Sequence, residues 1–84
     1  MLSEREFIQL ALPEKIQVIL ESGRELFCRK VKGVLVKLFT MNDFYVEIWY
    51  ASKTNTIEKV ELLQLEEVLA NYDNQLDIKE LLSR

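Results

Sequence analysis

Glu47 is the residue whose type and spacing come closest to acid–base chemistry, because it alternates with Tyr45 and Trp49 on one predicted strand. A carboxylate beside a phenol can exchange a proton with a substrate when both groups are held in place. The chain has no His, however, so neither a Ser–His nor a Cys–His pair can form. Lys37 is expected opposite Glu47, where an ion pair is the ordinary role of such a carboxylate. We therefore expect a protein that is not an enzyme.

Metal and redox chemistry have equally little support. Cys28 is the single cysteine, so it can form no internal disulfide, and one thiol in a predicted strand lacks the spacing of zinc ligands. We expect Cys28 to face the core, where a thiol stays protonated. Asp73, Gln75 and Asp77 imitate the start of a calcium loop, but Ile78 stands where that loop needs its turning glycine. The sequence therefore predicts no metal and no cofactor.

Aromatic residues at alternate positions favour binding over catalysis. Within residues 44–50, the even positions suit a dry core and the odd positions carry two aromatic rings and a charge. The predicted outer face of the sheet therefore mixes aromatic, charged and apolar side chains, namely Phe27, Arg29, Leu35, Lys37, Phe39, Tyr45, Glu47 and Trp49. Aromatic residues and Arg are enriched at protein interfaces, so this face is a candidate interaction surface. Cross-strand pairs that only stabilise the sheet are the alternative interpretation.

Helices are predicted on both sides of the strands in the sequence. Ser3 and Glu6 have the spacing of a capping box. Pro13 ends this first helix and starts a second one, which runs to about Ser22 and is followed by Gly23 as a left-handed cap. A third helix is expected over residues 65–72, where apolar residues recur at helical spacing. A last short helix is expected from Asp77, at capping-box spacing from Glu80, through Leu82.

Two loops fix the expected register of the strands. Val31-Lys32-Gly33 suits a three-residue hairpin loop, and Met41-Asn42-Asp43 suits a second one. With both loops, one face of the sheet receives an apolar set: Leu26, Cys28, Val34, Val36, Leu38, Phe44, Val46, Ile48 and Tyr50. The outer face then pairs Lys37 with Glu47, Phe39 with Tyr45 and Leu35 with Trp49.

These elements predict a single α+β domain over residues 1–84. The expected order is ααββββαα: a four-stranded antiparallel β-meander flanked by N-terminal and C-terminal helices, which pack mainly on one sheet face. A fourth strand over residues 56–63 adds Val60 and Leu62 to the apolar face.

The net charge of −3 gives no reason to expect a nucleic acid partner. Residues 1–42 hold seven Lys/Arg against five Asp/Glu, and residues 43–84 hold four against nine, so the two halves differ in sign. A local basic patch lies on the first hairpin, formed by Arg24, Arg29, Lys30, Lys32 and Lys37. No apolar run is long enough for a membrane span or a secretion signal, so we expect a cytoplasmic protein.

The chain resembles small uncharacterised bacterial proteins of the Bacteroidetes type. The residues that carry this resemblance are FYVEIWY at positions 44–50 and TNTIEKV at positions 54–60, and it extends over residues 24–82. It implies an α+β family without an assigned function, so it adds no site residue.

The expected function is that of a protein-interaction module. Self-association as a homodimer, through the aromatic sheet face or a free sheet edge, is the simplest form of this hypothesis. The alternative is a small-ligand carrier with a pocket between sheet and helices, lined by Tyr45, Trp49 and Tyr50.

Overall fold

Residues 2–73 are described by a computed structural model. Within them the elements are α1 (Glu4–Gln9), α2 (Leu12–Ser22), β1 (Arg24–Val31), β2 (Val34–Thr40), β3 (Tyr45–Ala51), β4 (Thr56–Leu63) and α3 (Leu65–Asn71). The strands form one four-stranded antiparallel sheet in the order β1-β2-β3-β4. The predicted fold class, an α+β meander with helices before and after it, is confirmed. The helix predicted from Asp77 lies outside the described residues.

Backbone caps fix where the first two helices begin. Ser3 Oγ accepts a hydrogen bond from Glu6 N at 3.1 Å, and Glu6 Oε1 accepts one from Ser3 N at 3.0 Å, so the predicted capping box is confirmed. Glu14 Oε1 accepts from Ala11 N at 3.0 Å in the same way. α2 therefore starts at Leu12, one residue before its predicted start.

Gly23 follows α2 in an extended conformation (φ −83°, ψ 158°), so the predicted left-handed cap is wrong. A Cβ atom at this position would lie 2.7 Å from Ile19 O and 3.0 Å from Met41 Sδ. The close approach of these neighbours, rather than a need for positive φ, is what favours glycine here.

The first hairpin has a two-residue turn. Lys32 and Gly33 both have positive φ, 50° and 83°, as a type I′ turn requires, and Val31 pairs with Val34. The predicted three-residue loop is therefore wrong, and residues 34–38 of β2 each lie opposite the neighbour of their expected partner on β1. A bulge between Glu25 and Phe27 restores the expected register at Phe39 and Thr40.

The second hairpin also differs from the prediction by one residue. Thr40 pairs with Tyr45, so residues 41–44 form a four-residue connection, which is closed by a hydrogen bond of 2.8 Å from Met41 N to Phe44 O. The predicted three-residue loop is wrong here as well.

Because of the two shifts, the side chains of β2 lie on the opposite face of the sheet from the one expected relative to β1 and β3. Val36 and Leu38 lie on the same face as Glu47, whereas Val46 and Ile48 lie on the opposite face. The prediction that all these apolar residues share one face is therefore wrong, because the sheet buries apolar side chains on both sides.

Helices cover both faces of the sheet, which we call the α2 face and the α3 face. α1 and α2 cover the first, whose buried core contains Phe7, Ile19, Phe39, Met41, Phe44, Val46 and Ile48. Val60 and Leu62 pack against this core, as predicted for β4. α3 covers the second face, whose buried core contains Leu38, Leu63, Val68 and Tyr72. The prediction that the helices pack mainly on one sheet face is therefore wrong.

Candidate functional site

The eight residues of the predicted outer face divide between the two faces. Those on β1 and β3 lie on the α3 face, namely Phe27, Arg29, Tyr45, Glu47 and Trp49. Those on β2 lie on the α2 face, namely Leu35, Lys37 and Phe39. The three predicted cross-strand pairs are wrong, because the register pairs the β2 residues with Tyr50, Ile48 and Val46 instead.

Glu47 is the centre of a buried polar cluster on the α3 face. Its side chain is shielded from solvent, with the residue 0% exposed. Arg29 donates from Nε to Oε2 at 3.2 Å and from Nη2 to Oε1 at 3.4 Å, and the Tyr72 hydroxyl donates to Oε2 at 2.7 Å. Both carboxylate oxygens are therefore engaged, and this geometry suits a structural link between the sheet and α3 rather than acid–base chemistry on a substrate.

The aromatic rings of the α3 face are in contact with cations of the same chain. The Arg29 guanidinium lies 5.5 Å from the ring centroids of both Trp49 and Tyr72. Lys59 Nζ lies 4.2 Å from the Trp49 ring centroid, and Phe27 stacks on Tyr72 at 5.8 Å. These rings therefore make contacts within the same chain.

The environment of Tyr72 disfavours its ionisation. Burial raises the pKa of Tyr72 above its ordinary value, and the hydrogen bond to the Glu47 carboxylate raises it further, because a tyrosinate there would face a second anion. The neutral hydroxyl is the form that can donate to Glu47.

Stability is expected to fall at alkaline pH because of Tyr72. An unfolded chain releases this proton near pH 10, whereas the folded protein retains it to higher pH. The stabilisation is therefore fully present below about pH 10 and is lost as the pH rises toward the folded pKa, by at most ~1.4 kcal/mol per pH unit. Urea unfolding between about pH 8 and pH 11 should show a steeper loss for the wild type than for Tyr72→Phe, with Tyr50→Phe as the matched control. Equal slopes for the wild type and Tyr72→Phe would contradict this assignment.

An open apolar groove lies on the α2 face between α2 and the sheet. Its volume is about 340 Å³, and we call it the α2 groove; its lining residues are Ile16, Leu20, Glu25, Leu35, Lys37, Phe39, Ile48, Tyr50 and Ile57. Phe39, Val46 and Ile48 are buried on this face, whereas Leu35 and Tyr50 are only partly buried. The groove lies where α2 leaves the α2 face partly uncovered, around Leu35 and Tyr50.

Leu20 stands at the rim of the α2 groove and is 68% exposed, although its spacing on α2 predicts a buried residue. Leu12, Ile16 and Leu20 recur every four residues, so this stripe was the signal in the sequence for an apolar surface beside the core. At the same rim Lys37 Nζ lies 3.5 Å from Glu25 Oε1. The rim therefore carries one charge of each sign.

The pocket predicted for a ligand carrier corresponds only in part to the α2 groove. Tyr50 lines the groove, and its hydroxyl donates to Asn55 Oδ1. Tyr45 and Trp49 lie on the opposite face of the sheet. A second cleft of about 490 Å³ lies where α2 meets the start of β1, with Val18, Arg24 and Thr40 in its lining.

Cys28 is exposed, so the prediction that it faces the core is wrong. It lies opposite Lys37 on the α2 face of β1. Within residues 2–73, no group of three potential metal-ligating side chains comes together.

Comparison with known proteins gives no relative from which a function could be transferred. No family model matches the chain. A search of curated proteins and a search of solved structures also give no match. In the part of the chain that the structure describes, no helix has the length and apolar character needed to cross a membrane.

Proposed function

We propose that this chain is a non-enzymatic protein-interaction module that forms a homodimer through the α2 groove. The observation that carries the proposal is the position of Leu20, which projects into solvent beside an apolar concave surface on the same face. Exposed apolar surface next to a groove is typical of an interaction site.

The shape of this surface suits a second copy of the same chain. A two-fold contact uses the same patch on both subunits, so the patch must be complementary to itself. A projecting Leu20 and an adjacent apolar groove meet that condition, because each copy supplies a knob and a hole. Complete burial of a leucine side chain contributes about 1.5–3 kcal/mol to the free energy of association, and a two-fold contact buries two such side chains, one from each subunit.

The charges at the rim are compatible with the same arrangement. Glu25 and Lys37 form an ion pair in which both side chains are almost half exposed. A two-fold contact can bring Glu25 near Lys37 of the partner subunit, so the patch does not repel itself. These charges would favour one orientation of the dimer more than they would add to its affinity.

A non-enzymatic role and a cytoplasmic location complete the proposal. Glu47, the one candidate for acid–base chemistry, is buried and hydrogen-bonded to Arg29 and Tyr72. An exposed Cys28 thiol suits a reducing compartment, where it would not be oxidised.

Leu20→Glu is expected to convert the dimer into a monomer, because the new carboxylate would be buried in the apolar contact. Sedimentation equilibrium at high micromolar concentration measures this directly. Leu69→Glu is the matched control: Leu69 is also an exposed helical leucine, at 42%, but it belongs to α3 on the other face. We expect the wild type and Leu69→Glu to be dimers. A monomeric wild type, or equal dissociation constants for the three proteins, would contradict the proposal.

A small amphipathic ligand is the second candidate occupant of the α2 groove. The volume of the groove, about 340 Å³, falls within the size range of ligand sites, and the lining of the groove combines apolar residues with Tyr50 and Lys37. A thermal-shift screen of apolar carboxylic acids would test this function, with Leu35→Glu as the groove variant. Saturable stabilisation of a monomeric wild type, lost in Leu35→Glu, would favour the carrier over the dimer.

A further inference from the structure

The outer edge of β1 is a second surface, separate from the α2 groove. Among residues 2–73, β1 pairs only with β2, and α2 and α3 make their main sheet contacts with β4 at the opposite edge. An edge strand leaves every other backbone N–H and C=O group without a strand partner. β1 has eight residues and a bulge between Glu25 and Phe27, and the regular run of residues 27–31 beyond this bulge is long enough to template another strand.

Exposed basic side chains lie along this edge. In the strand register, Arg24 lies on the α3 face and Lys30 on the α2 face, and Lys32 lies in the turn that follows β1. We call these three residues the basic stripe. Arg24, Lys30 and Lys32 are exposed, and none of them forms an ion pair with a carboxylate among the described residues. Glu25, the acidic residue of β1, is already paired with Lys37. The stripe is therefore locally cationic in a chain whose net charge is −3.

Two other occupants of the edge fit less well. Pairing of β1 with β1 of a second copy would bring like charges together, which is how edge strands commonly avoid self-association. Binding of single-stranded nucleic acid by base stacking uses aromatic rings next to the cations, but Trp49 and Phe27 pack on the α3 face against Lys59 and Tyr72.

We infer that the β1 edge binds an extended, acidic segment of a partner protein, which adds to the sheet as a fifth strand beside β1. Backbone hydrogen bonds to the open edge supply part of the affinity. Carboxylates on both sides of the added strand supply the selectivity, because Arg24 and Lys30 lie on opposite faces of the sheet. This inference does not depend on the dimer, because Arg24, Lys30 and Lys32 do not line the α2 groove.

Titration of the full chain with synthetic peptides tests this inference. The probe is an octapeptide that carries Glu and Val in alternating pairs, so that its carboxylates point to both faces of the sheet. A Lys/Val octapeptide of the same pattern, an all-Glu octapeptide and a single-stranded thymidine oligonucleotide serve as comparisons. We expect the Glu/Val peptide to bind most tightly and to slow amide hydrogen exchange at alternate residues of β1, with no change along β4. The triple variant Arg24→Glu, Lys30→Glu, Lys32→Glu should bind it about tenfold more weakly or worse, and the control Lys53→Glu less than about twofold.

Each other result would overturn the inference. If the all-Glu peptide binds as tightly as the Glu/Val peptide, the site is a charged patch without strand pairing. If the oligonucleotide binds more tightly than the Glu/Val peptide, the site is one for nucleic acid. Exchange protection along β4, or no binding of the Glu/Val peptide, would also overturn it. Leu20→Glu should retain peptide binding while losing the dimer, so failure at the β1 edge and failure at the α2 groove remain distinguishable.

Discussion

Arg29→Ala is expected to destabilise the protein by about 3–5 kcal/mol, because it leaves Glu47 buried without its cation. Glu47 is 0% exposed, and two of its three side-chain hydrogen bonds come from Arg29. The remaining donor, the Tyr72 hydroxyl, cannot compensate a full negative charge. Urea unfolding in the Leu20→Glu background measures the effect, since a monomeric reference removes the contribution of subunit association.

A compensated variant separates the cost of an unpaired charge from a loss of packing. Replacing the three members of the cluster together (Arg29→Met, Glu47→Leu, Tyr72→Phe) removes every polar group while keeping most of the volume. We expect this triple variant to regain most of the lost stability, because a buried ion pair adds little over well-packed apolar residues. An Arg29→Ala protein within about 0.5 kcal/mol of its parent would show that Glu47 is not buried as described.

Ile19→Ala is expected to lower the free energy of unfolding by about 2–5 kcal/mol. Leu20→Ala, at the next position, should change it by less than about 0.5 kcal/mol. Ile19 is 0% exposed and lies in the core beneath α2, whereas Leu20 is 68% exposed. The two side chains are similar in size, so each substitution controls for the other. The comparison must be made on monomeric protein, at a concentration below the dissociation constant, so that loss of the dimer is not counted as loss of folding.

The reverse order of these two effects would contradict the orientation of α2. A large cost at Leu20 and none at Ile19 would mean that the helix is rotated, and the α2 groove would then not exist as described. Similar costs at both positions would point to a helix that is buried on more than one side.

Local signals in the sequence predict the elements well. The capping box of Ser3 and Glu6, the stop at Pro13 and the change from helical to alternating periodicity after Gly23 each depend on neighbouring residues only. The fourth strand was predicted over residues 56–63, which is the range it has in the structure. Such signals do not depend on how the elements pair.

The register is where the prediction from sequence fails, because it rests on single turn residues. Lys32 adopts positive φ, which is uncommon for a residue with a long side chain, and so the first turn has two residues instead of three. One available signal was the run Val34-Leu35-Val36 followed by Leu38 and Phe39. A strand that is apolar at nearly every position is typical of a sheet covered on both faces.

The buried cluster could not be derived from the sequence for a different reason. Glu47, Arg29 and Tyr72 are separated by 18 and 25 positions and come from β3, β1 and the end of α3. Their meeting depends on the register of two strand pairs and on α3 covering the face opposite to α2. The α2 groove depends equally on tertiary structure, since it exists only where α2 leaves part of the sheet uncovered.

The most direct test of the α2 groove as the dimer contact uses a nitroxide spin label on Cys28, which is exposed on the α2 face beside Lys37. Labelled protein is mixed with an equal amount of unlabelled, ¹⁵N-enriched protein, so that any broadening of amide signals arises between subunits. We expect broadening around Leu20 and Leu35 and none around Leu65 and Leu69 on α3. Broadening confined to α3, or no intermolecular broadening at high micromolar concentration, would contradict the account.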